Sequence, residues 1–161
     1  MRTIDIANPL MEHREVRTHA VILIASGVPG SNLFRVSARF DRSTLFIAAG
    51  RTAARYIVRS GRHLAAEFPG AETPSFAQSR AIAAVARDLF LSHDVDAVHI
   101  ADAGFGYTPA RQPEIIDLLP ISDIDSIGED PLTLIIERHL SMAVYQVLLH
   151  TSDPAGSHAV H

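Results

Sequence analysis

The sequence predicts a single α/β domain whose largely parallel sheet is flanked by helices, and three observations support this class. Short runs of branched apolar residues alternate with stretches of helical periodicity, as expected when crossover helices join successive strands. The runs are apolar throughout, which is typical of strands covered on both faces. The 161 residues, 47% of them apolar and 20% charged, suffice to bury one hydrophobic core without disulfides or metals.

The first half of the chain predicts three extended segments separated by two helices. Gly and Pro residues end the apolar runs and force turns between the elements. The predicted elements are a strand at Thr18–Ser26, a turn at Ser26–Asn32, a helix through about Phe40, a strand at Thr44–Gly50, a helix at Thr52–Ser60 and a shorter extended piece at His63–Phe68.

A capping pattern gives the best-defined element of the second half. Ser75 and Gln78 have the spacing of a capping box, in which each side chain satisfies a free backbone N–H at a helix start. Apolar residues then recur at three- and four-residue steps, which predicts an amphipathic helix over 75–92. A fourth strand is expected at Val95–Ala101, and Pro113 and Pro120 indicate that Arg111–Ile121 is an edge strand. The whole pattern is that of a Rossmann-like sheet.

The final predicted helix begins with Asp130 as N-cap and Pro131 at its first helical position, and it extends to residue 149. Its surface is apolar nearly all round, so we expect it to be buried against other elements on two sides. We expect one side to be exposed or to contact a partner, through Leu134, Met142, Tyr145 and Leu149. On this reading residues 1–17 are a lead-in, residues 18–150 form the domain, and residues 151–161 are a flexible tail.

Composition excludes several classes of chemistry. The chain contains no Cys, which excludes disulfides and thiolate chemistry, and no Lys, which excludes a Walker A loop and Schiff-base formation. The net charge of −4 argues against a nucleic-acid footprint. The longest apolar run, Ala20–Ala25, is far shorter than the roughly 20 residues of a membrane span.

Two predicted loops at strand ends are candidates for binding a small anionic ligand. One is the turn after the first strand, with Ser26, Gly27, Gly30 and Asn32, and the other follows the fourth strand and contains Asp102. A tight turn at the first loop and a turn-forming Asp at the second remain the plainer interpretations. No motif predicts a catalytic residue, a metal site or a bound cofactor.

Five segments, in order, resemble the globular domain of the gamma subunit of F-type ATP synthases. "AVILIASGVPGSN" is similar to that family's strand and following turn, and "LFIAAGRTAARYI" to its strand followed by Gly-Arg. "AAEFPGAETPSFAQSRAIAAVARDLFLSHDVDAVHI" is similar to its Pro-Ser-Phe turn, long helix and next strand. "RQPEIIDLLPI" resembles its Gln-x-Pro…Leu-Leu-Pro segment, and "LTLIIERHLSMAVYQVLLHTS" the start of its C-terminal helix. The resemblance covers some four-fifths of the chain.

The resemblance implies a noncatalytic stalk component that acts by contact with other subunits. The expected partners are the alpha, beta and epsilon subunits and the c-ring, or a separate chain that supplies the rotor helices, which are expected to be missing here. The expected location is peripheral, on the cytoplasmic side of the cell membrane. Two alternatives stay open: a stand-alone α/β protein that binds an anionic ligand at the strand-end loops, and a regulatory or degenerate paralogue of the gamma subunit.

Overall fold

A computed structural model describes residues 9–26, 30–105, 114–121 and 141–149. Its strands are β1 (His19–Ser26), β2 (Leu45–Ala49), β3 (His63–Phe68), β4 (Ala97–Phe105) and β5 (Glu114–Leu119). They form one sheet in the order β3-β2-β1-β4-β5. The first four strands are mutually parallel, and β5 joins the edge of β4 in the antiparallel direction. The predicted α/β class is therefore confirmed.

Helices cover both faces of the sheet. The helices are α1 (Gly30–Ser37), α2 (Arg51–Arg59), α3 (Phe76–Leu91) and a helical segment at 141–149, with short 3₁₀ turns at Pro9–Met11 and Pro69–Glu72. α1 and α2 share one buried cluster with one side of the sheet, whereas α3 and segment 141–149 share another cluster with the opposite side. The sheet is thus the middle of three layers.

β1 shows why its sequence is apolar at every position. Its residues Ala20, Ile22 and Ile24 belong to the cluster beneath α3, and the alternate residues Val21, Leu23 and Ala25 belong to the cluster beneath α1 and α2. All six side chains are at most 3% exposed. Successive side chains of a strand point to opposite faces, so a strand covered on both sides needs apolar residues throughout.

The ends of two strands differ from the sequence-based expectation. β4 continues through Phe105, four residues beyond the predicted end at Ala101, and β5 ends at Leu119, two residues before the predicted end at Ile121. The predicted start of that strand at Arg111 lies outside the described residues. Pairing with both neighbouring strands extends β4, since Asp102 pairs with Glu114 of β5 and Phe105 pairs with Ser26 of β1. For the final predicted helix, residues 141–149 are helical and its expected start at Asp130–Pro131 lies outside the described residues.

The predicted capping box is only half formed. The Ser75 hydroxyl accepts a hydrogen bond from the Gln78 N–H at 3.1 Å, as expected of an N-cap. The reciprocal bond is absent, because Gln78 Oε1 is buried with no hydrogen-bond partner among the described residues. The Gln78 side chain instead packs against Gly70, where an added Cβ would lie 2.9 Å from Gln78 Nε2. Close contact with the 3₁₀ turn thus replaces the second capping bond.

Residues 12–18 are held against the end of α3. Arg14 donates hydrogen bonds to the carbonyl oxygens of Phe90 and Val95 at 2.7 and 2.9 Å, and its guanidinium lies 3.9 Å from the centroid of the Phe90 ring. The Asp96 carboxylate accepts from the backbone N–H groups of Arg17 and Thr18. The bond from Arg17 is the largest cause of a lowered pKa of Asp96, and the bond from Thr18 lowers this pKa further. Burial of the carboxylate opposes the shift. The part of the lead-in before β1 is therefore packed onto the domain.

Candidate functional site

The two predicted ligand loops begin at neighbouring strands. β1 and β4 lie side by side at the centre of the sheet, with Ser26 paired to Phe105. From β1 the chain crosses to β2 on one side, while β4 lies on the other, so the strand order reverses at this point. Open α/β sheets bind ligands at the carboxyl ends of strands where this reversal occurs.

The residues of the two predicted ligand loops lie in different elements of the structure. Ser26 ends β1, and Gly30 and Asn32 lie in the first turn of α1. Gly27 lies outside the described residues. Asp102 is inside β4, opposite Ile24, and not in a loop beyond the strand.

Asp102 is also not presented to solvent. It is only 2% exposed, and the alternation of β4 places it on the same side as Val98 and Ile100, which contribute to the core beneath α3. Ligand binding at the strand-end loops stays a prediction, to be checked by thermal shift with nucleotides and phosphorylated metabolites.

The predicted partner-facing residues divide into different environments. Ser141, Val144, Val147 and Leu148 pack segment 141–149 onto the domain, whereas Met142 and Leu149 are 39% and 42% exposed. Tyr145 is half-buried, with its ring 5.8 Å from that of Phe76 in an edge-to-face contact. Leu134 lies outside the described residues. Two of the four side chains therefore offer apolar surface to a partner, and their partner contact stays a prediction.

A row of titratable side chains that was not predicted from the sequence lies at the opposite end of the sheet. His19 Nδ1 lies 2.8 Å from His99 Nε2, and His99 Nδ1 lies 2.9 Å from Asp117 Oδ1. Phe40 packs against both imidazole rings, at centroid distances of 5.8 and 5.4 Å. The three polar residues come from β1, β4 and β5, so only the strand order brings them together.

Burial disfavours protonation of His19. Desolvation lowers the pKa of His19, and the neighbouring His99 lowers it further. The carboxylates of Asp41, Asp96 and Asp117 oppose the shift without reversing it. A neutral His19 suits the short contact with His99, because two charged imidazoles would repel each other. No group of three or more His, Asp or Glu residues in the described ranges is arranged to hold a metal ion.

Most of the chain is similar to curated proteins named ATP synthase gamma chain. The protein of Opitutus terrae is 29% identical over 133 residues, which cover 80% of this chain. Those of Desulfitobacterium hafniense and Anaeromyxobacter sp. are 26% and 28% identical and cover 90% and 91% of it. The resemblance to the gamma subunit family is confirmed.

The similarity covers only part of the length of each gamma chain. This chain covers 45%, 59% and 60% of the lengths of those three relatives, so it spans about half of each. No protein-family model matches the chain. Among the described helices, none combines the length and the apolar character needed to cross a bilayer.

Proposed function

We propose that this chain is a gamma-subunit-like component of an F-type, proton-transporting ATP synthase and acts through contacts with other subunits. One observation carries the proposal: similarity to ATP synthase gamma chains extends over 80% to 91% of this chain in the three comparisons above. In such a complex it would help to couple proton flow to ATP synthesis without performing chemistry of its own.

The three-layer core supports a mechanical role. β1, at the centre of the sheet, is buried on both faces and paired along both edges. Close-packed interiors of this kind have low compressibility and transmit strain. The domain can therefore hold a partner at a fixed distance and orientation, which is what a rigid spacer in a stalk requires.

The contact surface we assign to this role includes Met142 and Leu149. Large apolar side chains at this exposure gain free energy when a partner covers them, and they lie on a helical segment whose other side is anchored in the core by Val144 and Leu148. The proposed partners are the alpha, beta and epsilon subunits and the c-ring, or a separate chain that supplies rotor helices. The proposed location is peripheral, at the cytoplasmic side of the cell membrane.

Purification of the tagged chain from its own cells tests the proposal. Mass spectrometry is expected to find ATP synthase subunits in the purified material. The double variant Met142→Ser, Leu149→Ser is expected to reduce their yield. The matched control is Val16→Ser, Leu91→Ser, which removes apolar side chains of 47% and 38% exposure elsewhere. Absence of alpha, beta, epsilon and ring subunits from the wild-type sample would contradict the proposed function.

A further inference from the structure

Half of the positive charge of this protein lies in one stretch of sequence. Residues 35–62 contain seven Arg and a single acidic residue, Asp41, and so carry a net charge of +6. The complete chain has a net charge of −4, so the remaining residues carry −10. The average charge therefore conceals a strongly basic region.

The fold gathers this charge on the outer surface of one helical layer. α1 and α2 lie on the same side of the sheet and bury Leu33, Val36, Ala53, Ala54 and Ile57 beneath them. Solvent-facing positions of these helices and of the turn after α1 form what we call the basic helix face: Phe34, Arg35, Arg39, Arg51, Arg55, Val58 and Arg59. Helical spacing explains the segregation, because residues three and four apart share one side of a helix.

Three arginines of this face have no acidic partner among the described side chains. Within the described residues, no acidic side chain forms an ion pair with Arg39, Arg55 or Arg59. Asp41 is the nearest acid in sequence, and its carboxylate accepts hydrogen bonds from Ser43 and Thr44. Arg62 is not part of the face, because its guanidinium donates to carbonyl oxygens at the end of α1, including that of Phe40 at 2.9 Å.

Large apolar side chains stand among the arginines. Phe34 on α1 and Val58 on α2 are each 63% exposed, the highest exposure among the large hydrophobic residues described. Amphipathic surfaces that combine Arg with exposed aromatic and aliphatic side chains are typical of elements that rest on a lipid headgroup layer.

We propose that the basic helix face binds the surface of an anionic lipid bilayer. Guanidinium groups form paired hydrogen bonds with phosphate oxygens, and the apolar side chains gain by reaching the acyl boundary. Nucleic acid would satisfy the charge but offers no apolar phase for Phe34 and Val58. A protein partner is less suited, because the centres of protein interfaces are depleted in charged residues.

Acidic residues of the opposite helical layer, such as Asp88 on α3, do not cancel this attraction. The sheet separates the basic helix face from the opposite helical layer, and each layer adds about 10 Å. Charges separated by more than a Debye length, about 8 Å at physiological salt, are largely screened from each other. Binding is therefore local, reversible and dependent on salt. The inference goes beyond the proposed function and does not depend on assembly with other subunits.

Vesicle sedimentation with the purified full chain tests this proposal. The probes are vesicles of phosphatidylcholine mixed with phosphatidylglycerol, and vesicles of phosphatidylcholine alone. Binding to the mixed vesicles, weakened by added NaCl, is expected, with little binding to the neutral ones. No binding to the mixed vesicles at low salt, or equal binding to both kinds, would overturn the proposal.

Matched variants locate the binding surface. Arg39→Gln, Arg55→Gln, Arg59→Gln is expected to lower the partition coefficient on mixed vesicles about a hundredfold. The control Arg17→Gln, Arg80→Gln, Arg87→Gln removes the same charge from other surfaces and is expected to have little effect. An equal loss in both triple variants would refute a localised face, and circular dichroism establishes that each variant is folded.

Two further measurements test the apolar contribution to binding and the alternative that the ligand is nucleic acid. Phe34→Ser, Val58→Ser is expected to weaken vesicle binding roughly tenfold, whereas Val16→Ser, Leu91→Ser is expected to leave it unchanged. A double-stranded oligonucleotide is the competing anionic probe. If it binds the chain through the same arginines while the mixed vesicles do not bind, the face is a nucleic-acid surface and the lipid proposal is wrong.

Discussion

Replacement of Arg14 by Ala is expected to destabilise the domain by about 3 kcal/mol. Its side chain is 10% exposed and makes two charge-assisted bonds to carbonyl oxygens at the end of α3, besides its stacking on Phe90. Each such bond contributes roughly 1.5–3 kcal/mol, and the stacking adds about 0.5–1 kcal/mol. Desolvation of the guanidinium offsets part of this sum. The loss corresponds to a fall in Tm of roughly 6–12 °C for a domain of this size.

Urea denaturation of three variants measures this effect. Arg14→Lys retains the charge but loses the planar fork that reaches two carbonyls, so we expect about half the loss seen with Arg14→Ala. Arg17→Ala is the control, because its ion pair with Glu15 is 76% exposed on both sides and such pairs contribute little. The reasoning is refuted if Arg14→Ala costs less than about 1 kcal/mol, or if the Lys variant is no more stable than the Ala variant.

Three further perturbations test local features of the fold. Gly50→Ala is expected to cost about 2 kcal/mol in urea denaturation, because Gly50 has φ 105° and ψ 160°, a region that side chains disfavour. Ser75→Ala removes the N-cap of α3 and is expected to cost about 1 kcal/mol. Thermal unfolding should show that stability falls as the pH drops below 6.5, the ordinary pKa of His, because the folded state resists protonation of His19 while the unfolded state accepts it. His19→Asn is expected to flatten this dependence.

Each of these three has a matched control. Gly70 has no positive φ, and an added Cβ there meets only the flexible end of Gln78, so Gly70→Ala is expected to cost less than Gly50→Ala. Thr73→Ala changes an exposed side chain near the same helix start and is expected to be nearly neutral. His63→Asn, at an exposed position of β3, should preserve the pH dependence. Equal effects from a variant and its control would contradict the corresponding explanation.

Elements with strong local patterns could be predicted from the sequence alone. The helix expected over 75–92 is observed at Phe76–Leu91, and the extended piece expected at His63–Phe68 is β3 itself. The cap at Ser75 and the apolar repeat both lie within a few residues of the helix that they define. Such elements need no knowledge of their neighbours.

Features that depend on strand order could not be predicted in this way. The end of β4 resembles a turn in sequence, since Asp102 and Gly104 are poor strand formers. Its extended conformation depends on pairing with β5 at Asp102 and with β1 at Phe105. His19 and His99 are 80 residues apart and meet only because β1 and β4 are neighbours. The basic helix face was concealed by a different cause: its charge is clear in residues 35–62 but disappears in an average over the whole chain.

The position of β1 between β2 and β4 has a consequence for the chain during its synthesis. β2 follows β1 closely, but about 70 residues separate the end of β1 from the start of β4. At a ribosomal rate of about 5–20 residues per second, β4 is synthesised roughly 4–14 s after β1. During this interval one edge of the apolar strand β1 has no partner strand. Nascent chains stalled before residue 97 should therefore be good substrates for chaperones, and release of chaperone should coincide with the emergence of β4.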